Sequence, residues 1–239
     1  MRWLALALTA LALTGCESTA EKSAQLERVA LKKGRGAAQK GVVLSSPSRY
    51  VHVVSTSILH GREGTAVAVT LSNTSPQPIA EVPISLKVIG AGGSVFYTNT
   101  GAGIGHTLVS AALIPAHGQL TWVDDQVSGS GTPVSARAEA GEAPRAPGPV
   151  PQIDVTQAHV AEEGGGEGVV HGTVINRSRV DQPELVVYAA ARRLGKVAAA
   201  GRAVVPDVPA GATAPFEIFL IGDAKGVRLS VSAPPTALR

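Results

Sequence analysis

Few side chains in this sequence could do chemistry, and they are scattered. The only cysteine is Cys16, in LALTGCES (Leu11–Ser18). A thiolate is a nucleophile and a soft metal ligand, but a single cysteine makes no disulfide within the chain and no CxxC metal or redox pair. The histidines are His52, His60, His106, His117, His159 and His171. No two stand four apart on a helical pattern, and H-E-x-x-H is absent, so no metal site is written in the spacing. His52 alternates with Val51 and Val53 and is expected to face solvent from a strand. No G-x-S-x-G elbow occurs, and no S-x-x-K stands beside a fitting S-D-N.

Three further groups invite a functional reading. GAGIGH places Gly101, Gly103 and Gly105 in the pattern of a phosphate loop. That reading needs a strand before and a helix after. The next residues are TLVSAALIP, a short run ended by Pro115, so the expectation is a flexible hairpin or inter-sheet loop. It is still the most unusual loop of its half, and loops carry function. Asp124-Asp125 lacks the DxDxDG-like loop that calcium needs and is expected at a strand end facing solvent. Arg177, Arg179, Arg192, Arg193, Lys196 and Arg202 make the last third locally basic. Arg177 and Arg179 fall at one end of the predicted strands, and Arg192, Arg193 and Lys196 at the other. They read as solvated turns rather than one anion-binding face. The binding candidates are therefore Gly101, Gly103, Gly105, Arg192 and Arg193. No catalytic residue, metal ligand or cofactor is expected, and the protein is not expected to be an enzyme.

The place of Cys16 is more telling than its reactivity. Arg2 is a short positive region, Trp3–Leu13 is an apolar run of 11 residues, and Thr14-Gly15 are small. This is the order of a secretory signal. The run is too short to span a bilayer, which takes roughly 20 apolar residues. Leu13-Thr14-Gly15-Cys16 resembles the bacterial lipobox, Leu-small-small-Cys. The resemblance implies a diacylglycerol on the Cys16 sulfur and cleavage just before it, leaving 1–15 as signal peptide. Two acyl chains anchor firmly where one is marginal. The expected location is lipid-anchored in a membrane, facing the periplasm or the cell exterior.

Composition points to strands. The chain is 44% hydrophobic but only 3% aromatic, with 27 Gly and 16 Pro acting as punctuation. Turn signals every 8–12 residues or so favour all-β sandwiches. The net charge of +3 is misleading as a whole-chain number: the basic excess sits in Glu17–Arg49, where Lys22, Arg28, Lys32, Lys33, Arg35, Lys40 and Arg49 face Glu17, Glu21 and Glu27, and the rest is slightly acidic. Residues 16–49 thus read as a basic tether, attracted to anionic lipid by about 1 kcal/mol per charge near the surface or simply solvated. EKSAQLERVALKK reads as a short helix within it. An exported chain almost without stacking aromatics is not expected to bind nucleic acid.

The body reads as a duplication. VTLSNTS and GTVINRS are alternating strands that end in Asn-x-Ser, at Asn73 and Asn176. Pro115-Ala116 matches Pro209-Ala210, and Trp122 and Phe216 come at the same distance beyond. The first copy carries nine extra residues between its turn glycine and its proline, assigned to NTGAGIGHTL (Asn99–Leu108). Ala138–Pro151, with Pro144, Pro147, Pro149 and Pro151, reads as a semi-rigid linker. The expected architecture is all-β: two tandem immunoglobulin-like sandwiches, 50–137 and 152–235, joined by 138–151. In the second, strands are expected at 153–160, 169–175, 185–191, 197–205, 213–221 and 227–232. Phe216 and Phe219, three apart, require a bulge or strand end between them.

VVYAAARRLGKVAAAGRAVVPDVPAGATAPFEIFL resembles the FxLyD-type domains of exported bacterial and archaeal proteins. The features are the strand-ending Asn176, the turn Gly195-Lys196-Val197, the turn Pro209-Ala210-Gly211 and the strand residue Phe216. Tyr188 stands where the family usually shows an aromatic followed by Leu-Tyr-Asp. The resemblance implies a small sandwich in an envelope protein and carries no catalytic residues. The expected function is a non-enzymatic envelope lipoprotein, held to the membrane through Cys16, whose two sandwiches scaffold or bind an envelope protein partner. The alternative is a small-ligand-binding or assembly lipoprotein using the Gly101–Gly105 loop.

Overall fold

The structure, a computed structural model, describes residues 44–61, 64–100, 106–162 and 168–239, together with positions 24, 25, 28, 29 and 42. Cys16 and the loop glycines Gly101, Gly103 and Gly105 lie outside the described residues. Ala24, Gln25, Arg28 and Val29 are helical, and Arg28 Nε donates to the Ala24 carbonyl at 3.1 Å. The described body is all β apart from one short helix, α1 (His106–Val109).

The first sandwich opens with β1 (Val51–Gly61) and β2 (Gly64–Asn73), which form one antiparallel sheet with β6 (Gln119–Asp124) in the order β1-β2-β6. The facing sheet is centred on β3 (Ile79–Gly90). On one edge of β3 lie β4 (Val95–Thr98) and β5 (Ser110–Ile114), end to end; on the other lies β7 (Pro133–Ala140). The second sandwich has β8 (Ile153–Glu162), β9 (Gly168–Asn176) and β12 (Thr213–Phe219) in the order β12-β9-β8. Its other sheet runs β13-β11-β10-β14, from β10 (Gln182–Arg193), β11 (Lys196–Val208), β13 (Ile221–Gly222) and β14 (Arg228–Ser232).

The expected strands of the second sandwich are all present, and β10 and β11 extend beyond their expected ends. The chain leaves the outer sheet at Phe219 and enters the other at Ile221. That strand end is how Phe216 and Phe219 are both buried. Phe216 lies directly across from Gly172, where a Cβ would come within 2.3 Å of the Phe216 ring. Glycine is what lets the tip of the ring reach over the neighbouring strand.

The stretch 138–151 is not all linker. Ala138–Ala140 complete β7, and the chain beyond stays on the β3 edge: Ala80 N donates to Pro144 O and Ala146 N to Pro78 O, both at 2.9 Å. Prolines are tolerated there because an edge needs few of their missing N–H groups. The end of the stretch 16–49 is docked as well. Ser48 N donates to Ala140 O at 2.8 Å and Glu142 N to Ser46 O at 2.9 Å.

The two sandwiches share a core. Successive residues of β10 point to opposite faces. Leu185, Val187, Ala189 and Ala191 fill the second sandwich, while Val186, Tyr188 and Ala190 pack into the cluster of Trp122, Val69 and Leu71 in the first. In β11, Ala199 and Val205 face one way, Ala200 and Val204 the other. The β10–β11 sheet therefore lies between its own partner sheet and the β1-β2-β6 sheet. Burying Val186, Val204 and Ile221 at this junction is worth about 1.5–3 kcal/mol each, together comparable with the whole margin of a small domain.

Candidate functional site between the two sandwiches

The repeated asparagines are structural, and they act alike. Asn73 Nδ2 donates to the carbonyls of Gln77 (2.8 Å), Ile114 (3.2 Å) and Pro115 (3.0 Å), and its Oδ1 accepts from Ser75 N at 2.8 Å. Asn176 Nδ2 donates to Val180 (2.8 Å), Val208 (3.1 Å) and Pro209 (3.1 Å), and its Oδ1 accepts from Ser178 N at 3.1 Å. Each amide pins a Pro-Ala turn whose third residue, His117 or Gly211, has positive φ (52° and 75°). Asparagine to proline spans 42 residues in the first sandwich and 33 in the second. The difference, nine residues, is the insertion expected from the sequence.

Asp124 and Asp125 are not at a solvent-facing strand end. They are 3% and 0% exposed, and they meet Arg202 of β11, itself 2% exposed. Arg202 Nη2 lies 3.3 Å from Asp124 Oδ1 and Nε 3.3 Å from Asp125 Oδ1. Its Nη1 donates to Leu108 O and Val123 O, both at 3.0 Å, and its backbone N donates to Asp125 Oδ2 at 3.0 Å. Tyr97 Oη donates to Asp124 Oδ2 at 2.8 Å. Burial and the adjacent carboxylates push the Tyr97 hydroxyl far above its ordinary range, so it stays a donor. These groups tie the second sandwich to the first. Their bonds are directed at each other, which suits a lock better than a reaction centre.

Arg192 and Arg193 diverge. Arg193 is exposed and pairs with Asp223 at 3.0 Å, holding that carboxyl below its usual range. Arg192 is not a solvated turn residue. It is half-buried against the first sandwich, with Nη2 donating to Thr70 Oγ1 (3.2 Å) and Thr121 Oγ1 (2.9 Å) and Nη1 to Gly195 O (3.3 Å). Alternation along an apolar strand gives no sign that this side chain meets a second sheet.

Beside Arg192 a cleft of about 430 Å³ opens between the sandwiches. Ser55, Thr70 and Thr121 line it from the first, and Ala190, Ser230 and Ser232 from the second. Both walls carry a register shift, between Val53 and Ser55 in β1 and between Ala191 and Arg192 in the β10–β11 ladder. Such bulges re-aim side chains and are enriched beside functional sites. Elsewhere, His159 and His171 meet across β8 and β9 with ring centroids 6.0 Å apart. Among the described residues no group of three metal-ligating side chains assembles, and no helix is long and apolar enough to cross a membrane.

No family model and no curated protein matches the chain. Among solved structures, the exo-chitosanase CsxA of Amycolatopsis orientalis aligns at 15% identity and a TM-score of 0.28, over 77% of this chain and 26% of that one. The red sea bream transglutaminase aligns at 16% identity and a TM-score of 0.22, over 89% of this chain and 32% of that one. This chain thus spans about a quarter to a third of those proteins.

Proposed function

We propose that this protein is a lipid-anchored module of the bacterial cell envelope that works by binding, with its two sandwiches presented as one body to an envelope partner. The observation that carries the location is the order Arg2, apolar Trp3–Leu13, then Leu13-Thr14-Gly15-Cys16. In this reading Cys16 bears the diacylglycerol, and the body stands off the membrane on a basic tether, facing the periplasm or the exterior. The FxLyD resemblance of the second sandwich belongs to the same reading. A binding role is supported by the use of Asp124, Asp125 and Arg202 to join the sandwiches rather than to meet a substrate.

The test is Cys16→Ser in cells fed an alkyne fatty acid. The wild type is expected to take up label and to pellet with membranes in high salt. The variant is expected to take up none and to accumulate as precursor or in the wrong fraction. A variant that pellets like the wild type, with no label on either, overturns the anchor. Cross-linking in intact cells, with capture from membranes, then finds a partner with the wild type and loses it with Cys16→Ser.

A further inference from the structure

We propose that the cleft between the sandwiches is a binding site for a small hydroxylated carboxylate of the sugar-acid type, with its carboxylate held by Arg192 and attracted by the charge of Arg192's exposed cross-strand neighbour, Arg228. The inference stands on the cleft alone and is independent of the anchor.

Charge comes first. Arg192 and Arg228 are direct cross-strand partners on β10 and β14. Directly opposite residues share a face, and like charges placed so are destabilising. No carboxylate among the described residues pairs with either. Arg192 is held only by neutral acceptors, two threonine hydroxyls and a backbone carbonyl. These occupy three of the five N–H donors of a guanidinium, and they fix its plane at the cleft. A half-buried arginine, oriented and with no carboxylate partner among the described residues, fits a planar carboxylate.

The walls define the rest of the ligand. Ser55, Thr70 and Thr121 line the cleft on one side and Ser230 and Ser232 on the other. Each hydroxyl can donate and accept, as sugar hydroxyls require. About 430 Å³ lies in the usual range for small-ligand sites. Val54, Leu120 and Ala190 supply apolar surface for the C–H side of such a ring. The irregularity in β1 brings Ser55 opposite Thr70 at this cleft, and regular alternation along β10 puts Arg192 on the same face as Tyr188 and Ala190. A bare anion would use the arginine and leave Ser55, Ser230 and Ser232 idle.

The experiment is titration of the full-length protein in detergent with glucuronate, read by calorimetry and by amide shifts of β10 and β14. Glucose and inorganic sulfate are titrated in parallel. Glucuronate is expected to bind saturably, with glucose and sulfate each at least about tenfold weaker. Arg192→Gln is expected to weaken glucuronate about tenfold or more, the loss of one charge-assisted contact. Because that change touches the sandwich junction, Ser230→Trp is the second variant. It sits exposed on the edge strand β14, keeps Arg192, and is expected to block the cleft while retaining the wild-type unfolding midpoint. Absence of saturable binding, equal affinity in Arg192→Gln, undiminished binding in a folded Ser230→Trp, or sulfate binding as tightly as glucuronate would each overturn the proposal.

Discussion

The two sandwiches share a corner and differ in one strand. Both fix a Pro-Ala turn with a buried asparagine. In the second, the return strand β11 runs unbroken beside β10 from Lys196 to Val208. In the first, the equivalent edge of β3 is covered by β4 and β5, with the insertion leaving between them. The gap does not leave β3 unpaired. Asn99 Oδ1 accepts from Leu86 N at 2.8 Å, and its Nδ2 donates to Ile84 O at 2.7 Å. A buried side-chain amide stands in for the missing peptide, because an unmet backbone group there would cost about 1–3 kcal/mol. The unbroken strand, in turn, offers a continuous second face, and that face is what the first sandwich packs against.

The largest expected effect comes from breaking that junction at its charges. Arg202→Leu leaves Asp124 and Asp125 buried without their cation. Removing one partner of a buried pair costs about 3–5 kcal/mol, and two carboxylates are stranded here. Chemical denaturation should show a large loss. Adding Asp124→Asn and Asp125→Asn should recover much of it, since a neutral set no longer carries the penalty of unpaired charge. If the single variant keeps wild-type stability, Arg202 does not lock the sandwiches.

Trp122 and Phe216 hold matching places, yet they belong to different cores. Trp122 lies in the cluster that includes Tyr188 and Val204 of the second sandwich; Phe216 lies in a cluster confined to its own. Truncation to alanine costs about 3–5 kcal/mol at either site. Hydrogen exchange should separate them. Trp122→Ala is expected to lower protection in β2, β6, β10 and β11 together. Phe216→Ala is expected to open β8, β9 and β12 first. Protection lost from the first sandwich alone in Trp122→Ala would make the sandwiches independent.

Asn73→Ala and Asn176→Ala sharpen the likeness. Each removes an amide that serves three carbonyls and one N–H. Each should cost about 1–3 kcal/mol, by similar amounts, when thermal midpoints are compared. A cost at only one site would mean that the matched geometry does not carry matched energy.

The repeat is legible in the sequence because turns depend on local residues: an asparagine closing a strand, a proline and a positive-φ position two later. The all-β class and the place of the insertion come from the same punctuation. The junction is not legible as a contact, although a trace of it is present. LVVYAAA in β10 is apolar at every position, the mark of a strand buried on both faces, where a free-standing sandwich would alternate. Arg202 breaks that pattern in β11. Its partners lie 78 and 77 residues away, beyond the reach of spacing arguments. A strand end implies exposure for Asp124-Asp125 only while the sandwich stands alone, and a second sheet lies over that end.

The smallest expected effect is at Glu184, where the insertion meets the second sandwich. Its side chain is 8% exposed. Oε2 accepts from Thr107 Oγ1 at 3.2 Å, and Oε1 has no partner among the described residues. Burial raises its pKa above the usual glutamate range, and the Thr107 hydrogen bond opposes that only in part. A carboxyl with a raised folded-state pKa keeps a proton that the unfolded chain has lost. Stability from this group therefore falls as pH rises from the ordinary glutamate value through the folded one, and stays low above it. Glu184→Gln removes the charge and keeps an acceptor for Thr107. At neutral pH it should raise the thermal midpoint by a few degrees at most, a chain of this size shifting about 2–4 °C per kcal/mol. In acid below the ordinary glutamate range both states are protonated, and the gain should vanish. A gain that persists there would mean that the charge is not its source, and a loss at neutral pH would mean that the carboxylate is stabilised in its site rather than penalised by burial.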